Sequence, residues 1–359
     1  MKLRSTLVSL LVLLLVGASS AAESPGQDVP GGEAGWPLAR RVVPPPAAAS
    51  AAVRDAIATA PVPDVSASRR SAPKDAKEWA ALIRQRDAGA RAMVKTLTER
   101  LAVSIEHDQV RGVGIRRVTP AKIDPLQRRH LFLHLHGGAY VFNGGEAGLY
   151  EAALIAERVG IPVVSIDYRT APAHPFPAAL DDVVKVYEHL LESAPAKSLA
   201  IGGSSAGGGL ALASVHALLA RDLAVPGAIY AGTPWADLTK TGDTLYTNEG
   251  LDRMIVSYDG LLTEAARLYA GGKNMKNPLI SPVYGNFEGF PPVYLVTGTR
   301  DLLLSDTARI HRKLRSAGVD ADLDVYEGLS HAEYIFVRNS IESQQAYAEM
   351  KGFLAKHLR

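Results

Sequence analysis

The chain of 359 residues is 47% hydrophobic and 21% charged, which excludes overall disorder and allows one large core or two modest ones. A net charge of +2 gives no broad basic field, so neither nucleic acid nor an anionic membrane surface is an implied partner. With no cysteine, a disulfide framework and a lipoprotein-type anchor are both excluded.

Met1 to Ala22 places Lys2 and Arg4 before the apolar run Leu7 to Val16 and then a string of small residues, the order of a secretory signal peptide over residues 1–22. The run is too short to span a bilayer. Cleavage after Ala22 is expected, giving an exported protein, periplasmic or extracellular, without a stable membrane anchor; an uncleaved anchor is the alternative. Residues 23–71, rich in Pro, Ala and Gly, read as a flexible leader with one short helix near Ala51 to Thr59. Within residues 72–105, Trp79, Leu82, Ile83, Ala90, Met93, Val94, Leu97 and Leu101 recur at helical spacing and predict one or two amphipathic helices.

Residues 106–359 alternate strand-like apolar runs with longer helical stretches, the pattern of an α/β fold with a mostly parallel sheet and helices on both faces. Strands are expected at Val110 to Val118, Leu131 to Leu135, Pro162 to Asp167, Leu199 to Gly202, Ala228 to Ala231, Val293 to Thr297 and Ala321 to Tyr326. Helices are expected at Ala147 to Val159, Ala178 to Glu192, Ala206 to Arg221, Ser305 to Ala317 and Glu342 to Leu358. The rhythm breaks over about 234–283, where Thr- and Gly-rich turns precede a helix near Leu261 to Ala270. An insertion of this kind between two strands often contributes to a lid.

Chemistry concentrates where the strand ending at Gly202 runs through Gly203-Ser-Ser-Ala-Gly207 into a helix. So sharp a reversal presents Ser205 at a strained turn, with glycines on both sides leaving room for it. A Gly-rich phosphate cradle is the alternative, but no Gly-Lys-Ser/Thr follows and the dinucleotide spacing is absent. Serine needs a base to take its proton and a group to orient that base. Asp301 and His331 each follow an expected strand, in the chain order Ser, Asp, His; Asp306 is the alternative acid, and Asp301 could instead cap the following helix. His136-Gly-Gly-Ala-Tyr140 follows another strand, so the N–H groups of Gly137 and Gly138, with that of Ala206, form a candidate oxyanion hole. His134 and His136 could be read as a metal pair, but the neighbouring residues offer no further ligands, and no metal or cofactor is expected. Tyr140, Val141, Phe142, Ser204 and Trp235 are candidates for the pocket wall, with burial in the core as the alternative.

His136-Gly-Gly-Ala-Tyr, the block Asp167-Tyr-Arg-Thr-Ala-Pro through Asp182, Gly203-Ser-Ser-Ala-Gly-Gly208 and Ser281-Pro-Val-Tyr, together with Asp301 and His331, resemble the hormone-sensitive-lipase family of bacterial esterases. The likeness runs from about Val110 to the C-terminus, and more loosely from Asp75. It implies an α/β-hydrolase fold with a helical cap, built from the N-terminal helices and the insertion, and cofactor-free hydrolysis of short-chain carboxylic esters. The Asp167-Tyr-Arg block is implied to pack beside the oxyanion loop. Pro234-Trp-Ala-Asp-Leu, Gly298-Thr-Arg-Asp-Leu-Leu-Leu-Ser-Asp and Ser330-His-Ala-Glu are similar to the monoterpene lactone hydrolase branch, so a lactonase using the same triad is an alternative. A non-catalytic ligand-binding protein on the same fold is another. The implied partner is a small-molecule ester or lactone, and a homo-oligomer is compatible with the sequence. Three positions depart from the family pattern: Ser204 where many members have Asp, Leu302 where many have Pro, and Ala332-Glu333 where many have Gly-Phe.

Overall fold

The computed structural model describes residues 42–359, so the expected signal peptide and the first part of the leader lie outside the described residues. Helices α1 (Ala51–Thr59), α2 (Val65–Arg69) and α3 (Ala76–Thr98) come first. Each begins at a side-chain cap: Ser50, Asp64 and Asp75 accept from the N–H of Val53, Ala67 and Glu78. The short helix expected near Ala51 to Thr59 is present as α1, but the flexible-leader expectation fails for residues 43–71. Val53 is fully buried, Ser50 donates its N–H and Oγ–H to Glu342 at 2.7 and 2.6 Å, and Arg69 Nε donates to Glu249 at 3.0 Å. Helix α2, of five residues with none fully buried, is too short to leave a periodic signal. By contrast α3 is one continuous helix of 23 residues that buries Trp79, Val94 and Leu97 along a single stripe.

Strands β1 (Val103–Val110) and β2 (Val113–Pro120) follow as an antiparallel hairpin, where a single strand over Val110 to Val118 was expected. Its turn is Arg111-Gly112, both at positive φ (48° and 81°), the conformation that two-residue hairpin loops require. β1 carries the polar run Glu106-His-Asp-Gln109 on an exposed edge, which hid it among loop-like residues. The chain then alternates through β3 (Leu131–Leu135), α4 (Leu149–Val159), β4 (Val163–Asp167), α5 (Ala178–Leu191), β5 (Leu199–Ser204), α6 (Ala206–Leu219) and β6 (Ala228–Gly232). The insertion holds α7 (Thr244–Thr247) and α8 (Leu261–Ala270). After it come β7 (Val293–Gly298), α9 (Leu304–Ser316), β8 (Ala321–Tyr326), α10 (Glu333–Phe336) and α11 (Ile341–His357).

The eight strands lie in the order β1-β2-β4-β3-β5-β6-β7-β8, and every pair from β4 to β8 is parallel. Both faces are covered. α4 and α11 bury one apolar layer with Phe132 and Val163, while α5, α6 and α9 bury the other with Leu133 and Val164. Neighbouring residues on one strand thus serve opposite layers, as the pleat demands. Helix α6 is buried along nearly its whole length, so its sequence is apolar all round rather than striped. Because the strands are parallel, the loops after β3, β5, β7 and β8 all emerge at one edge of the sheet, where ligands of open α/β sheets bind.

Candidate active site

Ser205 sits between β5 and α6 with φ 60° and ψ −124°, a region that non-glycine residues enter only when the surroundings enforce it. The enforcement is visible in the neighbouring chain. A Cβ on either Gly203 or Gly207 would overlap the same atom, the carbonyl oxygen of Leu135 at the end of β3, so strand, turn and helix close onto β3 only through glycines. Ser205 is half-buried, and its Oγ has no hydrogen-bond partner among the described residues. Its carbonyl accepts from Gly209 and Trp235 at 3.0 and 2.9 Å, and its N–H donates to Gly232 at 2.9 Å. The turn is therefore rigid while the hydroxyl stays free.

Asp301 and His331 are brought together from the loops after β7 and β8. His331 Nδ1 lies 3.1 Å from Asp301 Oδ1, and Asp301 is fully buried, with Oδ2 accepting from Thr297 Oγ1 at 2.8 Å and Oδ1 from Leu303 N at 2.8 Å. Asp301 thus braces the turn into α9 and holds the imidazole at once. Asp306, the alternative acid, faces elsewhere: its Oδ2 accepts the N–H groups of Ala236 and Asp237 at 3.0 and 2.8 Å. Burial works to lower the His331 pKa, but the charge and hydrogen bond of Asp301, helped by Asp252 and Asp306, leave it raised above its ordinary value.

Ser205, His331, Gly137 and Gly138 line one cavity of about 590 Å³. No hydrogen bond joins Ser205 Oγ to His331 Nε2 among the described residues; in unliganded enzymes such contacts are often long and tighten with substrate. The loop from His136 to Tyr140, the candidate oxyanion loop, lies directly against the turn, since a Cβ on Gly137 would touch Ser204 O at 3.0 Å and Ser205 Cβ at 3.5 Å. Among the described residues no acceptor is bonded to the N–H of Gly137, Gly138 or Ala206, although Ala206 opens a helix whose first N–H groups have no intrahelical partner. His136 Nδ1 is 2.8 Å from Gly137 O and its ring stacks on Tyr168 at 4.0 Å, while Tyr168 OH donates to His136 O at 2.5 Å. Burial holds the His136 pKa down at about 4, so it is a neutral brace. The Asp167-Tyr168-Arg169 block completes the support: Asp167 Oδ1 accepts Gly145 N at 2.7 Å, and Arg169 forks onto Asp182 with two 2.8 Å bonds. His134 is engaged separately, with Ser165 Oγ at 3.0 Å and Glu151 Oε2 at 3.3 Å.

Of the pocket-wall candidates, Phe142 and Ser204 line the cavity, whereas Tyr140, Val141 and Trp235 do not. Those three are about 1% exposed and belong to the core. Ala139 and Tyr140 both have positive φ (54° and 61°), and the Tyr140 ring stacks on Tyr269 at 3.8 Å, beside Trp235 at 5.9 Å. Further parts of the wall come from Met254, Ile255, Leu261 and Leu262 of the insertion, Ile335 and Phe336 of α10, Arg86 of α3, and Ala67 and Ser68 of α2. The α2 contribution went unseen because it lies in the segment read as leader.

Two buried carboxylates also escaped the sequence reading. Glu151 of α4 stands below the turn and accepts from Ser204 N (3.1 Å), Ser204 Oγ (2.5 Å) and Tyr230 OH (3.0 Å), with Tyr334 OH also on Ser204 Oγ at 2.7 Å. A carboxylate therefore does occupy the space beside the residue preceding the nucleophile candidate, supplied from a helix and relayed by Ser204. The available clue was an acid inside the apolar run Leu149 to Ile155, where a solvated residue has no place. Asp252, in the insertion, is fully buried between the Asp301 and His331 loops. Its stretch of sequence carries no periodic signal.

The profile of a family described as alpha/beta hydrolase fold matches residues 132–335. The crystal structure of an esterase, E25, superposes with a TM-score of 0.89 at 47% identity, covering 90% of this chain and 99% of that one. An esterase from the bacterial hormone-sensitive lipase family superposes with a TM-score of 0.74 at 31% identity, covering 87% and 100%. The putative acetyl-hydrolase LipR of Mycobacterium tuberculosis is 32% identical over 273 residues, 76% of this chain and 84% of that protein. With this geometry and these likenesses, the chain belongs to the hormone-sensitive-lipase-like family of α/β-hydrolases, whose solved members here are esterases.

Proposed function

We propose that this protein is an exported serine carboxylesterase that hydrolyses short-chain carboxylic esters through an acyl-enzyme on Ser205. The supporting observation is the meeting, in one cavity, of a free hydroxyl on a strained turn, an imidazole tethered to a buried carboxylate, and amide hydrogens without acceptors. Ser205 Oγ attacks the ester carbonyl carbon while His331 Nε2 takes the hydroxyl proton, and Asp301 stabilises the imidazolium through Nδ1–H. The carbonyl oxygen, now an anion, draws on the N–H groups of Gly137, Gly138 and Ala206. Collapse breaks the bond to the alcohol oxygen, which leaves with the proton from His331. Water, deprotonated by the same imidazole, then attacks the acyl carbon and releases the acid. A cavity of about 590 Å³ walled by Phe142, Leu261 and Leu262 has room for the acyl group, and the short-chain reading rests on the family resemblance. Export is proposed on the order of residues 1–22.

A fluorophosphonate probe should label the peptide carrying Ser205 and abolish turnover in proportion, and kcat/KM over p-nitrophenyl esters from acetyl to dodecanoyl should be greatest for the short acyl chains. Turnover surviving complete labelling would refute the mechanism, and a preference for dodecanoyl would refute the chain-length reading. The pH dependence has a defined sign. His331 must be neutral to act as base and its pKa is raised, so kcat/KM should fall with decreasing pH through a value above about 6.5. An acid limb centred well below that value would contradict the assignment of His331.

A further inference from the structure

Resting on the proposed triad, we infer that Asp252 is a positioning residue that fixes the acid loop and the histidine loop at one separation. Its Oδ2 accepts from Leu302 N at 2.8 Å and from His331 N at 3.3 Å, one contact on the residue after Asp301 and one on the imidazole-bearing residue itself. Its Oδ1 accepts from Met254 N at 2.8 Å and Ile255 N at 3.2 Å, which anchors the carboxylate in the insertion. Four N–H groups converge on one side chain with no exposed surface, a use only a carboxylate fits, because both oxygens must accept.

The neighbouring residues make the same bridge. Arg253 pairs with the fully buried Glu333, Arg253 N donates to Ser330 Oγ at 3.2 Å, and Glu333 Oε2 accepts Ser330 N at 2.8 Å. Asn248 Nδ2 donates to Asp301 O at 2.8 Å, and Thr244 Oγ1 to Leu302 O at 2.9 Å. Leu302 and Glu333 are two of the positions that depart from the family pattern, and both are engaged here. A proline at 302 would have no N–H for Asp252. The insertion therefore holds the triad from above as well as walling the cavity.

Asp252 also acts through charge. It faces Asp301 and His331, with Arg253 beside it, Glu333 on the far side of Arg253, and Arg300 within range of Arg253. Burial and the Asp301 charge push the Asp252 pKa up to about 6, and when ionised Asp252 helps raise that of His331.

The test is Asp252→Asn in the full chain, assayed with p-nitrophenyl butyrate across pH alongside thermal melting and fluorophosphonate labelling. Asparagine turns an NH2 group toward two of the four donors, so kcat should drop by about 100-fold with KM little changed. Loss of the negative charge should also move the acid limb of kcat/KM to lower pH by about half a unit or more. A merely structural residue would give the first effect without the second. A folded variant with kcat and acid limb like the wild type overturns the inference. If Asp252→Asn does not fold, Leu302→Pro decides: it removes one of the four donors to Asp252, so kcat should fall, and unchanged kcat overturns the inference. Wild-type labelling at Ser205 with an unaffected Asp252→Asn enzyme would refute this role alone, whereas a wild type that resists labelling would refute the triad.

Discussion

Ser205→Ala should lower kcat for p-nitrophenyl butyrate by about 10⁵-fold or more while leaving the melting temperature close to that of the wild type. The two halves of this expectation have separate causes. The hydroxyl is the attacking atom of the proposed mechanism, and without it only the amides of Gly137, Gly138 and Ala206 and the cavity walls remain to favour the transition state. Stability should hardly change, because Ser205 Oγ has no hydrogen bond to lose and the turn is held by main-chain bonds to Gly209, Trp235 and Gly232. Purified variant and wild type compared by single-turnover assay and thermal melting would settle it. Substantial residual turnover in a folded Ser205→Ala protein would mean that another group attacks the ester.

Gly203→Ala should show the opposite combination, destroying the framework rather than the chemistry. The added methyl would overlap the carbonyl oxygen of Leu135, an atom that also blocks any side chain on Gly207. Relief requires β3 to move away from β5, yet the two are paired in register at Leu133↔Ile201 and His134↔Gly202, deep in the sheet. Overpacking at backbone against backbone has no flexible side chain to absorb it, so the loss should be about 4 kcal/mol or more, read from the urea midpoint. Any folded remainder should be impaired in kcat, since β3 leads directly into His136 and Gly137. Gly352→Ala is the control: it lies within α11 with no atom within 4 Å of the new Cβ, and should be neutral or stabilising. Wild-type-like stability of Gly203→Ala would show that the turn at Ser205 does not close onto β3 as described.

The parallel strands were legible because burial on both faces makes them continuous apolar runs, as in Leu131 to Leu135 and Val293 to Thr297. The nucleophile candidate and its acid and base were legible for a related reason: each follows such a run in a fixed chain order. β1 was not, since an edge strand has one wet face and its polar residues resemble a loop. Nor was the docking of residues 43–71, where Val53 and the Ser50 bonds to Glu342 depend on partners almost three hundred residues away. Tyr140 and Trp235 were open between the cavity wall and the core on sequence grounds, because an aromatic near a strand end serves either, and stacking on Tyr269 takes the Tyr140 ring into the core.

From sequence alone came the class of fold, the strained serine turn and the identity of the residues at the sheet edge, because main-chain sterics and hydrophobic period act over a few neighbouring residues. Three-dimensional packing alone decided which side chains wall the cavity, and that Glu151 stands beneath the Ser205 turn while Asp252 bridges the Asp301 and His331 loops. Those roles are set by desolvation and by donors converging from distant segments, and a chain read residue by residue carries no period for either.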